Sequence, residues 1–97
     1  MRTLFVFIKC ELGRAYDVAE YIVDNLDPIP ALYSISGAFD LIAQYHVDNE
    51  VDIGRFVNST LHAVPGIRDT QTTVAFNAFS KDRGFSFDAD GDASQDG

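Results

Sequence analysis

One carboxylate in the sequence, Asp40, lies where the chain is expected to enter the protein core. Asp40 follows Gly37, Ala38 and Phe39 and precedes the apolar run 41–47, which has the length of a buried strand. A carboxylate that enters a protein core must be paired or hydrogen-bonded. Two interpretations follow. Asp40 either organises the turn by accepting backbone N–H bonds, or it is held at the strand end to bind an amine.

Two threonines and one glycine can likewise be interpreted as structural or as functional residues. On a strand, Thr70 and Thr72 share a face, so their hydroxyls either line a polar pocket or reflect the β-propensity of threonine. Gly37 supplies either a positive φ angle or room for a close backbone approach, and only the second of these implies a ligand.

Catalytic and metal chemistry finds little support in the sequence. His46 and His62 are the only histidines, and no Cys or carboxylate lies at metal-binding spacing from them. His46 and Asp48 would share a strand face, which is a weak acid–base signal. Cys10, the single cysteine, lies in an apolar run and is expected to be a buried hydrophobe. We therefore predict no catalytic residue, no metal site and no cofactor.

The composition limits the partners. The chain has 97 residues and a formal net charge of -8, with 7 Lys plus Arg against 15 Asp plus Glu. Binding to nucleic-acid phosphates requires clustered basic side chains, so direct nucleic-acid binding is not expected. No segment has the length of a membrane span, and none is typical of a secretory leader. We expect a single cytoplasmic domain without membrane contact.

The elements that must position these residues follow from the apolar periodicity. Segment 3–11 is typical of a strand that is buried on both faces, and Gly37 permits a hairpin between the second and third strands. Asn49 is the expected N-cap of the second helix. The predicted elements are strand 3–11, helix 14–26, strand 31–36, strand 39–47, a helix that Asn49 caps and that ends at Val64, and strand 67–79.

This β-α-β-β-α-β order predicts an α+β, ferredoxin-like sandwich with an antiparallel four-stranded sheet and two helices on one face. The helices cannot cover the second face, on which Phe5 and Phe7 should lie. An exposed apolar sheet face marks an interface, so we expect a homodimer packed sheet to sheet. Residues 1–79 form the predicted ligand-binding domain, and residues 80–97, rich in Asp, Gly and Ser, form an expected flexible acidic tail.

Two motifs together carry a resemblance to a known family. The turn Gly37-Ala38-Phe39-Asp40 opens the third strand, and the segment "PGIRDTQT" at 65–72 opens the last strand. Both motifs, at their correct places in the β-α-β-β-α-β order, resemble the effector-binding domain of the Lrp/AsnC, or feast/famine, transcription regulators. The similarity extends over about residues 3–77. Phe39 stands where the family often has tyrosine.

The resemblance implies a dimer formed through the sheets, and often a ring of four dimers, an octamer. It also implies that an amino acid or related effector binds between dimers. Carried onto this chain, it places Ser36, Gly37, Phe39, Asp40, Thr70 and Thr72 at the effector site. Because the chain starts directly at the first strand, it looks like a stand-alone form without the DNA-binding domain. Such a form would act by co-assembling with a full-length Lrp/AsnC regulator.

We therefore expect a non-enzymatic, oligomeric module that binds a small effector. Two alternatives stay open from the sequence. One is a small dimeric αβ-barrel enzyme of the monooxygenase type, which a closed apolar cavity containing His46 would favour. The other is a purely structural oligomerisation module without a ligand.

Overall fold

The strands and helices follow one another in the predicted order. The computed structural model describes residues 1–77 and residue 79, so the predicted acidic tail 80–97 lies outside the described residues. The elements are β1 (Arg2–Cys10), α1 (Ala15–Asn25), β2 (Ala31–Ser34), β3 (Leu41–Val47), α2 (Ile53–Ser59), a 3₁₀ turn (Leu61–Ala63) and β4 (Ile67–Ala75).

The four strands form one antiparallel sheet in the order β2-β3-β1-β4. The two central strands are β3 and β1, and β2 and β4 lie at the edges. The connection between β2 and β3 is the predicted hairpin. The predicted ferredoxin-like α+β fold is therefore confirmed, with β1 between the two strands that carry the predicted site residues.

One face of the sheet packs against the helices. Alternate residues of β1 and β3 point to this face and are buried, as a period of two requires. Burial of one large aliphatic side chain contributes about 1.5–3 kcal/mol to folding. The largest fully buried side chains are Leu4, Val6, Ile8, Val18, Ile22, Leu41 and Leu61. Cys10 is buried in the same core, as predicted.

Each helix contributes one stripe of buried side chains to the core. Val18 and Ile22 of α1 are one turn apart and both buried, and Val57 is the buried residue of α2. Among the described residues, no helix is long and apolar enough to cross a membrane.

Among the described residues, no helix covers the second face of the sheet. Phe5 lies opposite Gln44 and Thr73, and Phe7 lies opposite Ile42 and Gln71, so all these residues share one face. Phe5 and Phe7 are half-buried in the single chain. We call the surface formed by Phe5, Phe7, Tyr33, Ile42, Gln44, Gln71 and Thr73 the open face. Its role in a sheet-to-sheet dimer stays a prediction.

The second helix differs from the predicted one at both ends. Asp52, not Asn49, is its N-cap, because the Asp52 side chain directly precedes the first turn and accepts a hydrogen bond of 3.1 Å from Arg55 N–H. The helix also ends at Ser59 rather than at Val64. At this end the Thr60 hydroxyl donates to the Phe56 carbonyl at 2.7 Å, and a 3₁₀ turn follows.

Two strands are shorter than predicted. β2 ends at Ser34 instead of residue 36, because Ser34 pairs with Leu41, the first residue of β3. One further bond, from the Ile35 N–H to the Asp40 carbonyl at 2.9 Å, closes the hairpin beyond it. β4 ends at Ala75 instead of residue 79, since Ala75 pairs with Thr3 near the beginning of β1. Each of these two strands therefore ends opposite the beginning of its antiparallel partner.

Candidate functional site

The hairpin between β2 and β3 carries four of the predicted site residues. Gly37 has φ +108°, and a Cβ atom placed on it would meet no other atom within 4 Å. Of the two interpretations of this glycine, the structure therefore supports the positive φ angle and not a close backbone approach. Ser36 is exposed beside it.

Asp40 ends the hairpin with three hydrogen bonds. Its N–H donates to the Ile8 carbonyl at 2.9 Å, and its carbonyl accepts from Ile35 N–H. Its carboxylate oxygen Oδ2 accepts from the Cys10 N–H at 2.8 Å. The side chain thus continues the β1–β3 ladder at the point where the β3 backbone turns away. Within the described residues, the other oxygen, Oδ1, accepts no hydrogen bond and is available to a ligand.

Phe39 points to the open face rather than toward Asp40's cleft. Its ring packs against the ring of Phe7, with centroids 5.6 Å apart and planes tilted by 48°. Aromatic pairs prefer such tilted arrangements. Phe39 therefore anchors the hairpin to β1, and it is partly buried in the single chain.

A β-bulge brings a residue to the site that the sequence did not identify. Lys9 pairs with Asp69, but the next residue of β1, Cys10, pairs with Ile67, so Arg68 is the extra residue on β4. A bulge bends the strand and changes the direction of the side chain at that position. Here it brings Arg68 to the cleft that Asp40 lines.

This cleft, which we call the Asp40 cleft, has a volume of about 430 Å³. Ligand sites typically occupy about 300–1,000 Å³. The charged part of its lining consists of Lys9, Glu11, Asp40 and Arg68, and the apolar part consists of Leu12, Ala15 and Tyr16. Within the described residues, the side chains of Lys9 and Arg68 form no ion pair with the protein. Carboxylates and free cations therefore face the same space.

Cys10 also lines the Asp40 cleft, but its thiol is unsuited to act as a nucleophile. Burial raises the pKa of the Cys10 thiol, the Asp40 carboxylate raises that pKa further, and Lys9 opposes the shift in part. Since the thiolate is the reactive form, the protonated thiol is expected to be inert.

Thr70 and Thr72 lie apart from Asp40 in the single chain. They pair with Ile8 and Val6 of β1, so they share the helix-side face of the sheet, as the predicted alternation requires. Asp40 lies on the other side of β1, directly before the first residue of β3. One chain therefore does not bring the two predicted groups of site residues together.

Thr70 belongs to a second cleft of about 370 Å³, which His62, Ile67, Arg68 and Asp69 also line. The Thr70 hydroxyl lies 2.9 Å from His62 Nε2, and His62 Nδ1 lies 3.2 Å from Asn58 Oδ1. A neutral imidazole with its proton on Nδ1 satisfies both bonds, because it donates to Asn58 and accepts from Thr70. Arg68 lines both clefts and so connects them.

The residues considered for enzyme chemistry are not gathered into a site. His46 is exposed, and its Nδ1 lies 3.1 Å from the Thr3 hydroxyl on the open-face side of the sheet. In the part of the chain that the structure describes, no group of three or more His, Cys, Asp or Glu side chains is placed to hold a metal ion.

Most residues of the Asp40 cleft were missed by sequence reasoning, including the charged Lys9, Glu11 and Arg68. Arg68 lies within the quoted segment 65–72, but only the bulge brings it to the cleft that Asp40 lines. Leu12 and Tyr16 carried no signal, because an apolar residue in a loop or on a helix is ordinary in a sequence. The available clue was Gly13, directly after Leu12, which has φ +78° in the turn between β1 and α1.

Comparisons with known proteins agree with the fold and with the family resemblance. The family model described as the Lrp/AsnC ligand binding domain matches residues 3–85. The chain is similar to TTHA0845 from Thermus thermophilus, at 27% identity and a TM-score of 0.72, with 84% of this chain and 100% of that chain covered. No curated protein matches the sequence.

Two further solved structures are similar. PHS023 from Pyrococcus horikoshii is 25% identical with a TM-score of 0.66, and the match covers 77% of this chain and 89% of that chain. The transcriptional regulator NMB0573 from Neisseria meningitidis, solved as an L-Met complex, is 17% identical with a TM-score of 0.64. That match covers 76% of this chain and 49% of the regulator, and it is a likeness of fold.

Proposed function

Because the chain belongs to the Lrp/AsnC ligand-binding domain family, we propose that it is a non-enzymatic module that senses an amino acid or a related small metabolite. Support comes from the family match and from the free charged groups in the Asp40 cleft. A regulator of the same fold, NMB0573 of Neisseria meningitidis, was solved with L-Met, which is a precedent for an amino-acid ligand on this architecture.

The observation that carries the proposal is that Asp40 and Arg68 line the same cleft. The Cys10 N–H holds Asp40 Oδ2 in place, so Oδ1 can accept from an ammonium group without a large loss of side-chain entropy. Arg68 can donate to a carboxylate in the bidentate geometry that a guanidinium favours. An amino-acid zwitterion has both of these groups.

The same proposal assigns a role to oligomerisation. Dimers form through the open face, and their further assembly brings Thr70 and Thr72 of one copy toward the hairpin of another. Ser36, Gly37 and Phe39 then shape the hairpin, and Asp40 binds the ligand directly. A full-length Lrp/AsnC regulator that pairs through the same open face is the proposed partner, since a chain with a net charge of -8 is poorly suited to bind DNA itself.

A thermal-shift screen of the full chain against the twenty amino acids tests this function. A ligand at a hundred times its Kd stabilises the folded state by about 2.7 kcal/mol per site, which raises the Tm by several degrees in a domain of this size. We expect a selective, concentration-dependent rise. A flat screen from a folded protein would contradict the proposal and favour a purely structural module.

Asp40→Asn is the variant that locates the site. The asparagine oxygen can still accept from the Cys10 N–H, so the fold is retained while the negative charge is lost. We expect this variant to lose the amino-acid response. Asp24→Asn, an equal loss of charge on the exposed surface of α1, is the matched control and should respond as the wild type does.

A further inference from the structure

The outer face of α1 carries negative charge that the rest of the helix does not balance. Asp17, Glu20 and Asp24 are all exposed, and their spacing of three and four residues places them in one row along the helix. Arg14 forms an ion pair of 3.2 Å with Asp17. Within the described residues, Glu20 and Asp24 form no ion pair. The row therefore presents two uncompensated carboxylates to solvent.

This charge pattern is the opposite of the one that stabilises a helix. Like charges four residues apart, such as those of Glu20 and Asp24, repel each other. A helix C-terminus favours cations, yet the last turn of α1 contains Asp24 and no basic residue. Local rules of this kind are broken in proteins mainly at functional sites. A surface that is unfavourable in the free chain gains stability when a partner of opposite charge covers it.

Apolar side chains flank the acidic row on both sides. At about 100° per residue, Tyr21 lies on one side of the row and Val23 on the other. Tyr21 is 38% exposed and Val23 is 49% exposed. A shallow groove of about 250 Å³ runs beside Tyr21 and the acidic row. We call the surface formed by Asp17, Glu20, Tyr21, Val23 and Asp24 the acidic helix face.

The charge distribution of the chain indicates what can cover the acidic helix face. Residues 15–54 contain eight Asp plus Glu and no Lys or Arg. A second copy that presents the same face would be repelled, and so would the phosphates of a nucleic acid or of an anionic lipid surface. A positively charged segment is attracted, and apolar side chains on that segment can pack against Tyr21 and Val23.

We propose that the acidic helix face binds a lysine- or arginine-rich, amphipathic segment of a different protein. The basic side chains of the segment pair with Glu20 and Asp24, and its apolar side chains cover Tyr21 and Val23. The acidic helix face shares no residue with the open face or with the Asp40 cleft. The inference therefore goes beyond the proposed amino-acid ligand and does not depend on it.

A synthetic peptide of leucine and lysine, about 14 residues long with leucines three and four apart, is the probe. Fluorescence anisotropy of the labelled peptide with the full chain gives its Kd at about 50 mM and about 200 mM salt. We expect micromolar binding that weakens by about threefold or more at the higher salt, because the charges are exposed. Polylysine of equal length, which lacks the apolar contact, should bind about fivefold more weakly.

Glu20→Lys is the variant that locates the site. The lysine would lie next to Asp17 and Asp24, so it replaces repulsion by attraction within α1 and should leave the fold intact. We expect it to weaken peptide binding by about tenfold or more. Glu50→Lys, an equal change of charge in the exposed turn before α2, is the matched control and should stay within about twofold of the wild type.

Two further variants test the apolar part of the surface. Tyr21→Ala and Val23→Ala should each weaken binding of the leucine–lysine peptide by about threefold, because part of the apolar contact is lost. Alanine is the best helix former, so α1 should be retained in both. Phe76→Ala is the matched control, since Phe76 is 87% exposed after β4 and lies outside the acidic helix face. It should bind the peptide as the wild type does.

Several results would overturn the inference. Absence of peptide binding is one. If Glu20→Lys and Glu50→Lys weaken binding equally, only the net charge of the chain attracts the peptide. If polylysine binds as tightly as the leucine–lysine peptide, the apolar side chains have no role. If Glu20→Lys reduces the oligomer mass in analytical ultracentrifugation without peptide, a second copy of the chain covers this face. A flat amino-acid screen would contradict the proposed function alone.

Discussion

The carboxylate of Asp40 accepts a hydrogen bond of 2.8 Å from the Cys10 N–H, thirty residues away in the sequence. Because the Asp40 N–H also donates to the Ile8 carbonyl, one residue extends the β1–β3 ladder with both its backbone and its side chain. The two interpretations of Asp40 are therefore compatible. Oδ2 organises the sheet, and Oδ1 remains available for the proposed ammonium group.

Substitution of Asp40 should separate its hydrogen bond from its charge. Asp40→Ala leaves the partly buried Cys10 N–H without an acceptor, which should lower the free energy of unfolding by about 1–3 kcal/mol. Asp40→Asn retains an acceptor and should lower it by less than about 1 kcal/mol. Urea denaturation of both variants and the wild type measures the difference. Equal stability of the two variants would show that the hydrogen bond contributes little.

The fold was predictable because its apolar pattern is regular. Leu4, Val6 and Ile8 alternate along β1, and Val18 and Ile22 are one helical turn apart. The residues that this periodicity places on the apolar face are the ones that are buried in the structure. Element ends were less predictable. Whether Asn49 or Asp52 caps the second helix depends on where its first turn begins. A local pattern of polar residues does not determine that position.

The site was predictable only in part, because its residues come from different levels of structure. The Gly37 to Asp40 turn is a local motif, and sequence reasoning found it. Arg68 reaches the Asp40 cleft through a bulge, which is a mismatch in the pairing of two strands. Strict alternation along β4 gives no sign of that mismatch. The proposed site also requires Thr70 of a second copy of the chain, and one sequence does not specify such an arrangement.

Two glycines with positive φ should respond differently to alanine. At Gly37, φ is +108° and the added Cβ meets no atom within 4 Å, so Gly37→Ala should cost only the backbone strain, about 1–2 kcal/mol. At Gly66, φ is +92° and the added Cβ would lie 2.9 Å from Val18 Cγ2 in the core.

Because Val18 is fully buried in the core, Gly66→Ala should cost a further amount of about 1–3 kcal/mol through overpacking. Urea denaturation curves of both variants provide the comparison. If Gly37→Ala proves the more damaging substitution, the open surroundings of Gly37 would have to be filled by another copy of the chain.

The open face should hold a homodimer together. Phe7 lies at its centre, opposite Ile42 and Gln71, and Phe7→Glu would place a charge in the sheet-to-sheet interface. We expect sedimentation equilibrium at micromolar concentration to show a dimer or larger assembly for the wild type. The variant should sediment with the mass of one chain, 10.7 kDa.

Val23→Glu is the matched control for this experiment, because Val23 is 49% exposed on α1 and lies away from the open face. It should leave the mass unchanged. Circular dichroism would establish that Phe7→Glu is folded. A monomeric wild type, or a Phe7→Glu variant that keeps its full mass, would rule out the open face as the interface.

The buried Tyr45 should make the fold sensitive to alkaline pH. Its ring packs edge-on against Phe56, it is 2% exposed, and its hydroxyl has no hydrogen-bond partner in the described chain. Burial raises the pKa of Tyr45 from 10.0 to about 12. Above pH 10 the unfolded chain loses this proton while the folded chain keeps it, so stability falls as the pH rises from 10 to 12.

This slope should reach about 1.4 kcal/mol per pH unit at most. Tyr45→Phe removes the titrating group and should flatten that part of the pH profile, so the difference between the wild-type and variant unfolding free energies isolates it from other alkaline titrations. At neutral pH the variant should be as stable as the wild type or slightly more so, because it removes a buried hydroxyl without a partner. A large loss at neutral pH would instead indicate that the hydroxyl is bonded, for example to a buried water.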